Sequence, residues 1–210
     1  MEPSHIVPLN GRRAQAARNN GLILEAARAV FTADPQAPMA AVAARAGVGI
    51  GALYRRYPSK EALLQHLCLD GLRRYNAVAD HALADEGDPW TAFVTFMRRC
   101  VDAGAGALTV RLAGTFTASD ELHREGRRAQ DLTQRLLDRT AAAGALRPGI
   151  AVGDLALLFE QLQAVHVADQ DRMHQLRRRY LTLLLDALHL PAAEPLPGPP
   201  PTWNEISGRY

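Results

Sequence analysis

The chain has 210 residues, 48% hydrophobic and 22% charged, with a formal net charge of +2. Alanine, leucine and arginine dominate over β-branched and aromatic residues, which points to an all-α fold and away from a sheet-based one. No apolar run reaches the ~18 residues of a membrane span, and residues 1–10 lack the apolar centre of a signal peptide, so a cytoplasmic location is expected.

The net charge hides an asymmetry. Residues 1–60 carry eight basic and three acidic side chains; the remainder carries sixteen and nineteen. A basic head on an acidic body suits a molecule that presents one end to a polyanion.

Residues 1–17 read as a basic leader. From 18 to 32, Ile23, Ala26, Ala27, Val30 and Phe31 share one helical face. Pro35 and Pro38 break that helix, and a short one follows with Met39, Val42, Ala43 and Ala46 aligned. Gly47 supplies a left-handed terminator. After the turn Gly47-Val48-Gly49, a second short helix runs over 50–57 until Pro58 stops it. Ser59 caps a long helix carrying Leu64, Leu67, Cys68, Gly71, Leu72 and Tyr75. Two short helices about a glycine turn are either a helix-turn-helix, with Ala43 at the crossing and Val48 and Leu53 between them, or an ordinary helical hairpin.

Beyond Asp88 the helices lengthen. One carries Phe93, Phe96, Met97, Cys100 and Val101, and a short one spans 107–116. The next, opened by Ser119, carries Ala129, Leu132, Thr133, Leu136, Leu137 and Thr140. After a plain loop at 144–149 come two more, marked by Leu155, Leu158, Phe159, Leu162 and Val165, then by Leu181, Leu184, Leu185 and Leu188. That makes about nine helices. Residues 191–210 hold six of the thirteen prolines and read as an extended or disordered tail, which Trp203 and Tyr210 offer to anchor. Cys68 and Cys100 read as buried thiols. Histidines lack paired spacing, so no metal or cofactor is expected. G-x-S-x-G, H-E-x-x-H, Walker and dinucleotide motifs do not occur, which argues against an enzyme.

The stretch A-A-V-A-A-R-A-G-V-G-I-G-A-L-Y-R-R-Y-P-S-K-E-A-L-L at 40–64, preceded by A-A-R-A-V-F at 26–31, closely resembles the DNA-binding signature of the TetR family of bacterial regulators. The resemblance covers about residues 18–70. It implies an N-terminal three-helix DNA-binding domain with a helix-turn-helix (18–60), then a C-terminal helical bundle for ligand binding and dimerisation (61–190). The implied function is a ligand-responsive regulator, a repressor that binds a palindromic operator as a homodimer and is released by an unknown small-molecule effector. The alternative is a helical ligand- or partner-sensing module without sequence-specific DNA binding.

The resemblance places Ile50, Gly51, Ala52, Tyr54, Arg55 and Arg56 on the recognition helix facing DNA. Tyr54 would reach a phosphate with its ring packed inward, and the arginines would reach phosphates or guanine acceptors. Arg45 would touch the backbone from the supporting helix. Lys60, the chain's single lysine, stands where the family puts a phosphate-contacting lysine near a helix N-terminus. Two departures stand out. Pro38-Met39 replaces the family's Thr or Ser cap, and Gly51-Ala52 leaves the recognition helix thin in hydrogen-bonding groups, so DNA shape and a minor-groove arm from Arg12 and Arg13 become expected aids. For the dimer interface, the family's last two helices point to Leu155, Leu162, Tyr180, Leu181, Leu184 and Leu185. For the ligand pocket, the middle helices offer Trp90, Phe93, Met97, Cys100, Phe116 and Phe159 as apolar lining. Arg111, His123, Gln163 and His166 are the polar candidates.

Overall fold

A 25-residue helix, α1 (Leu9–Ala33), opens the structure and starts well before the first apolar stripe. Its added turns are rich in Ala, Arg and Gln, which favour helix without needing a buried face. A computed structural model describes residues 9–104, 107–112, 116–191 and 194–207, the side chains of 9–17, 107, 110, 111 and 207 lying outside the description. Arg12 and Arg13, expected as an arm, therefore belong to α1 by backbone, and their side chains lie outside the described residues. Ile23, Leu24, Ala26, Ala27 and Phe31 form the buried stripe of α1. The helix α2 (Met39–Ala46) packs on it with Met39, Val42 and Ala43 buried. Pro38 gives α2 no side-chain cap, whereas Gly47 ends it at φ +66°, where a side chain would be strained. The last of the three short-range partners, α3 (Ile50–Arg56), follows the turn 47–49.

The chain divides into two compact units, Met1–Leu67 and Cys68–Tyr210, and the division falls inside α4 (Lys60–Ala84), not at its start. Early α4 side chains belong with the first unit, as the His66 ring 5.4 Å from that of Tyr57 illustrates. The second unit is a bundle of α5 (Pro89–Ala103), α6 (Ala107–Leu112), α7 (Asp120–Ala142), α8 (Val152–Ala164), α9 (Gln170–Leu188) and the short α10 (Trp203–Ser207), joined by the later turns of α4. Ser119 caps α7 as the sequence implies, accepting from Leu122 N at 3.3 Å, and Asp88 caps α5, accepting from Thr91 N at 2.7 Å. The central helix is α8, which touches α5, α6, α7, α9 and α10 and is apolar around most of its circumference.

Two arginines close helix ends that lack their own carbonyl partners. Arg139 donates to the carbonyls of Ala82, Leu83, Asp85 and Gly87 at the end of α4, over 2.5–3.2 Å. Arg177 donates to Gln163 O at 2.9 Å and Val165 O at 3.3 Å at the end of α8. The 144–149 loop is pinned to the end of α9 through Arg147 N–H to Leu188 O and Leu190 N–H to Ala145 O. The α6 helix is described over Ala107–Leu112, and residues 113–115 of the expected 107–116 lie outside the described residues.

The tail corrects its sequence reading. Thr202 and Glu205 form a reciprocal capping box, with Thr202 N–H to Glu205 Oε2 at 2.7 Å and Glu205 N–H to Thr202 Oγ1 at 3.3 Å. The resulting turn, α10, packs on α8 with Ile206 only 1% exposed. Tyr210, the other expected anchor, lies outside the described residues.

Candidate nucleic-acid interface and ligand cavity

Only one side chain of α3, Leu53, is buried. It plugs the angle between α2 and α3 with Ala43, while Val48 is half-buried in the turn. Everything else on α3 is exposed: Ile50 (44%), Gly51, Ala52, Tyr54 (46%), Arg55 and Arg56. A seven-residue helix held by one leucine, with its other six positions exposed, is a surface element and not a core element. The ring of Tyr54 stays half in solvent and does not pack inward as expected. The inward-facing ring is that of Tyr57, 4% exposed, whose hydroxyl donates to Asn20 Oδ1 at 2.7 Å.

The two neighbouring arginines are not equivalent. Arg56 Nε donates to the same Asn20 oxygen at 3.2 Å, and its guanidinium carbon lies 5.6 Å from the Tyr57 ring centre. Arg56 is thus tethered to α1. Arg55 makes no hydrogen bond or ion pair among the described residues and lies back along α3, its Nη1 3.7 Å from where a Cβ on Gly51 would stand. The bare Gly51 leaves room for Arg55 on the exposed face. Lys60 holds its ammonium 5.3 Å from the Phe31 ring centre, a cation–π contact that orients it at the first turn of α4. Arg45 is exposed in the last turn of α2.

In the second unit a cavity of about 350 Å³ opens between α4, α6, α7 and α8. Its walls are Leu72, Tyr75, Leu112, Phe116, Leu122, Val152, Ala156, Phe159 and Trp203, with Thr109, Gln130 and Thr133 as neutral polar groups and His123 and Arg127 exposed at the rim. Thr133 Oγ1 gives its one hydrogen to Ala129 O at 2.6 Å, so in the 2.7 Å contact with Tyr75 the tyrosine hydroxyl is the donor. Burial pushes the Tyr75 hydroxyl far above its ordinary pKa, keeping it neutral. The ring of Tyr75 meets Phe96 and Phe159 edge-on at 5.4 and 6.3 Å. The amide of Gln130 has no hydrogen-bond partner among the described residues.

Of the expected ligand contacts, Phe116, His123 and Phe159 line this cavity. Phe93, Met97 and Cys100 do not; they are fully buried in solid core, where helical periodicity alone cannot separate a wall from a filling. Trp90 lines a separate, more polar cleft with its ring 4.3 Å from that of His189. Gln163 is spent on Val101 O at 3.2 Å, His166 is exposed, and the Arg111 side chain lies outside the described residues. Both thiols are buried and free; burial pushes Cys68 up to about 12 and raises Cys100 as well.

The interface candidates separate in the same way. Leu155, Leu162, Leu181 and Leu185 are at most 4% exposed within the single chain, so they build its own core and offer a partner nothing. Tyr180 is 46% exposed and Leu184 half-buried. With Leu183 (56% exposed) and Ala187, they form a second apolar stripe on α9 at i, i+3, i+4 and i+7.

Residues 23–67 match the model of the tetR family of bacterial regulatory proteins, and residues 88–190 match the C-terminal domain of SbtR-like transcriptional regulators. Among curated proteins nothing matches the sequence. The TetR transcription regulatory protein of Mycobacterium vanbaalenii is 30% identical, with a TM-score of 0.55 over 85% of this chain and 99% of its own. SCO0520 of Streptomyces coelicolor is 28% identical, with a TM-score of 0.54 over 82% and 99%. LfrR of Mycobacterium smegmatis, solved in complex with proflavine, is 25% identical, with a TM-score of 0.61 over 80% and 96%. Among the described residues no helix is long and apolar enough to cross a membrane.

Proposed function

This chain belongs to the TetR family and is a DNA-binding transcriptional regulator; from that premise we propose that it is a homodimeric repressor of a palindromic operator, released by a small molecule held in the C-terminal cavity. The observation that carries this reading is the largely apolar cavity of about 350 Å³, within the size range of small-molecule sites. In the proposal α3 reads the major groove, with Arg55 and Tyr54 as the principal contacts and Ile50 and Ala52 offering methyl contacts. Arg45, Arg56 and Lys60 add phosphate contacts, and Gly51 allows close approach. One seven-residue helix covers a single half-site, so useful specificity needs two copies. The stripe of Tyr180, Leu183, Leu184 and Ala187 on α9 supports pairing there.

A ligand shifts DNA affinity only by its differential affinity for the DNA-competent and incompetent states. A coupling of about 1–3 kcal/mol corresponds to roughly 5- to 150-fold weaker operator binding. The test starts from DNA selected out of a random library by the purified full chain, which is expected to converge on an inverted repeat. Anisotropy titrations of that DNA with a small-molecule library are expected to yield a compound that lowers affinity, and Ala156→Trp, which fills the cavity, is expected to abolish the response. Selected sites without a repeat, or a response that survives Ala156→Trp, refute the proposal.

A further inference from the structure

The C-terminal segment ends the chain beyond residue 190, where the match to the C-terminal domain model stops. Even so, it reaches back to the cavity. Trp203, the first residue of α10, lines the same cavity as Phe116 and Phe159 and is 41% exposed. We infer that residues 201–207 are a working wall of the cavity, and that Trp203 stacks on a planar, uncharged aromatic ligand. The inference rests on the reading of the cavity as a ligand site.

Three observations support it. The first is that the segment is built to dock. A five-residue helix has no stability of its own, yet α10 has a complete capping box and an anchor, Ile206, buried to 1%. The surface of α8 is shaped to receive it. A Cβ on Gly153 would overlap the Pro201 carbonyl oxygen and stand 3.1 Å from the Pro201 ring and 3.2 Å from Ile206 Cδ1. Gly153 needs no unusual backbone angle, so its missing side chain serves the approach of the segment.

The second is where the tryptophan sits. Burial of Ile206, three residues on, fixes which side of α10 faces the body, while Trp203 lines the cavity and is 41% exposed as a residue. A partly exposed indole in the wall of a cavity that also holds Phe116 and Phe159 offers a flat π-system aromatic surface to stack on. The third is charge. The interior polar groups are all neutral, and the rim charge, Arg127, disfavours a cation. The amide of Gln130 offers one donor side and one acceptor side. An uncharged ring system with a carbonyl and an N–H matches that set.

Acridone, a neutral planar tricycle with both groups, is the probe. Trp90→Phe in the full chain leaves Trp203 as the sole tryptophan. Acridone is expected to quench its emission to a saturable limit. Trp203→Ala is expected to weaken binding about five- to tenfold, as loss of an aromatic stack does, with Trp203→Phe restoring most of it. Gly153→Ala, which forces Pro201 off α8, is expected to weaken binding to the same extent, with no further loss when combined with Trp203→Ala. Acridone binding that is indifferent to both variants overturns the inference, as does failure of acridone to bind the unmodified chain. Quenching of Trp203 that depends on both residues, with no library compound altering operator affinity, upholds the wall and refutes ligand-controlled repression instead.

Discussion

Arg55→Ala and Arg56→Ala, one position apart on α3, are predicted to have different consequences. Arg55 makes no bond among the described residues and lies on the exposed face beside Gly51, so its guanidinium is available to DNA. If it grips a guanine edge through two hydrogen bonds, its loss costs about 1–3 kcal/mol per half-site. A two-fold dimer loses it twice, about 2–6 kcal/mol, or roughly thirtyfold to more than ten-thousandfold in affinity. If instead it contacts a phosphate, the slope of log K against log salt falls by about 1.8 for the dimer, with little change in sequence preference. Arg56 is already bonded to Asn20 at 3.2 Å and lies against Tyr57. Its loss is expected to take less DNA affinity and to lower the stability of the first unit by about 0.5–1.5 kcal/mol, the worth of an ordinary hydrogen bond. Anisotropy titrations on selected operator DNA at several salt concentrations, with a thermal melt of each variant, separate these outcomes. Weaker DNA binding for Arg56→Ala than for Arg55→Ala, with an unchanged melt, would refute the assignment.

Four further outcomes follow from the packing. Leu53→Ala removes the single buried anchor of α3 and is expected to cost about 2–5 kcal/mol, read as loss of DNA binding with an early unfolding transition. On α9, Leu183→Glu is expected to give a monomer of native helicity in sedimentation, whereas Leu181→Glu, on the far side of the helix at 1% exposure, is expected to give unfolded protein. Arg139→Ala uncaps four carbonyls in and just after the last turn of α4 and is expected to lower stability by about 2–4 kcal/mol in denaturant titration. For Glu205, hydrogen bonds from the Thr202 backbone and then its hydroxyl hold the carboxyl below its ordinary pKa. Its cap is therefore complete above the ordinary carboxylate range and lost as pH falls through the lowered value. Acid titration of the Trp90→Phe chain should shift Trp203 emission in that window, and Glu205→Gln should remove the transition.

The helix-turn-helix was legible because each of its parts is a local requirement. Gly47 is the residue that tolerates φ +66°, Pro58 forbids continuation of α3, and Ser59 caps α4, its hydroxyl 3.0 Å from Ala62 N. The start of α1 was less legible because Arg, Ala and Gln form helix without a stripe to announce it. The helical turn at 203–207 was missed because six prolines outweighed a short signal. Thr202-x-x-Glu205 is a capping box, and Trp203 and Ile206 stand three apart within it. A capping box inside a proline-rich stretch marks the place where that stretch docks.

The choice of partner surface was legible only in part, for a different physical reason. A helical period shows that apolar residues share a side; it does not show whether that side meets the chain's own core, a cavity or a second copy. On α9, Leu181, Leu185 and Leu188 run along one line, and Tyr180, Leu183, Leu184 and Ala187 along the next. Both lines satisfy the same spacing rule, and only packing against the rest of the unit separates them. The same ambiguity places Phe93 in solid core and Phe159 in a cavity wall, although each lies on a buried stripe. What separates those two is volume missing nearby. A void depends on how several helices are placed around it, as α4, α6, α7 and α8 are here, and therefore on no single periodicity.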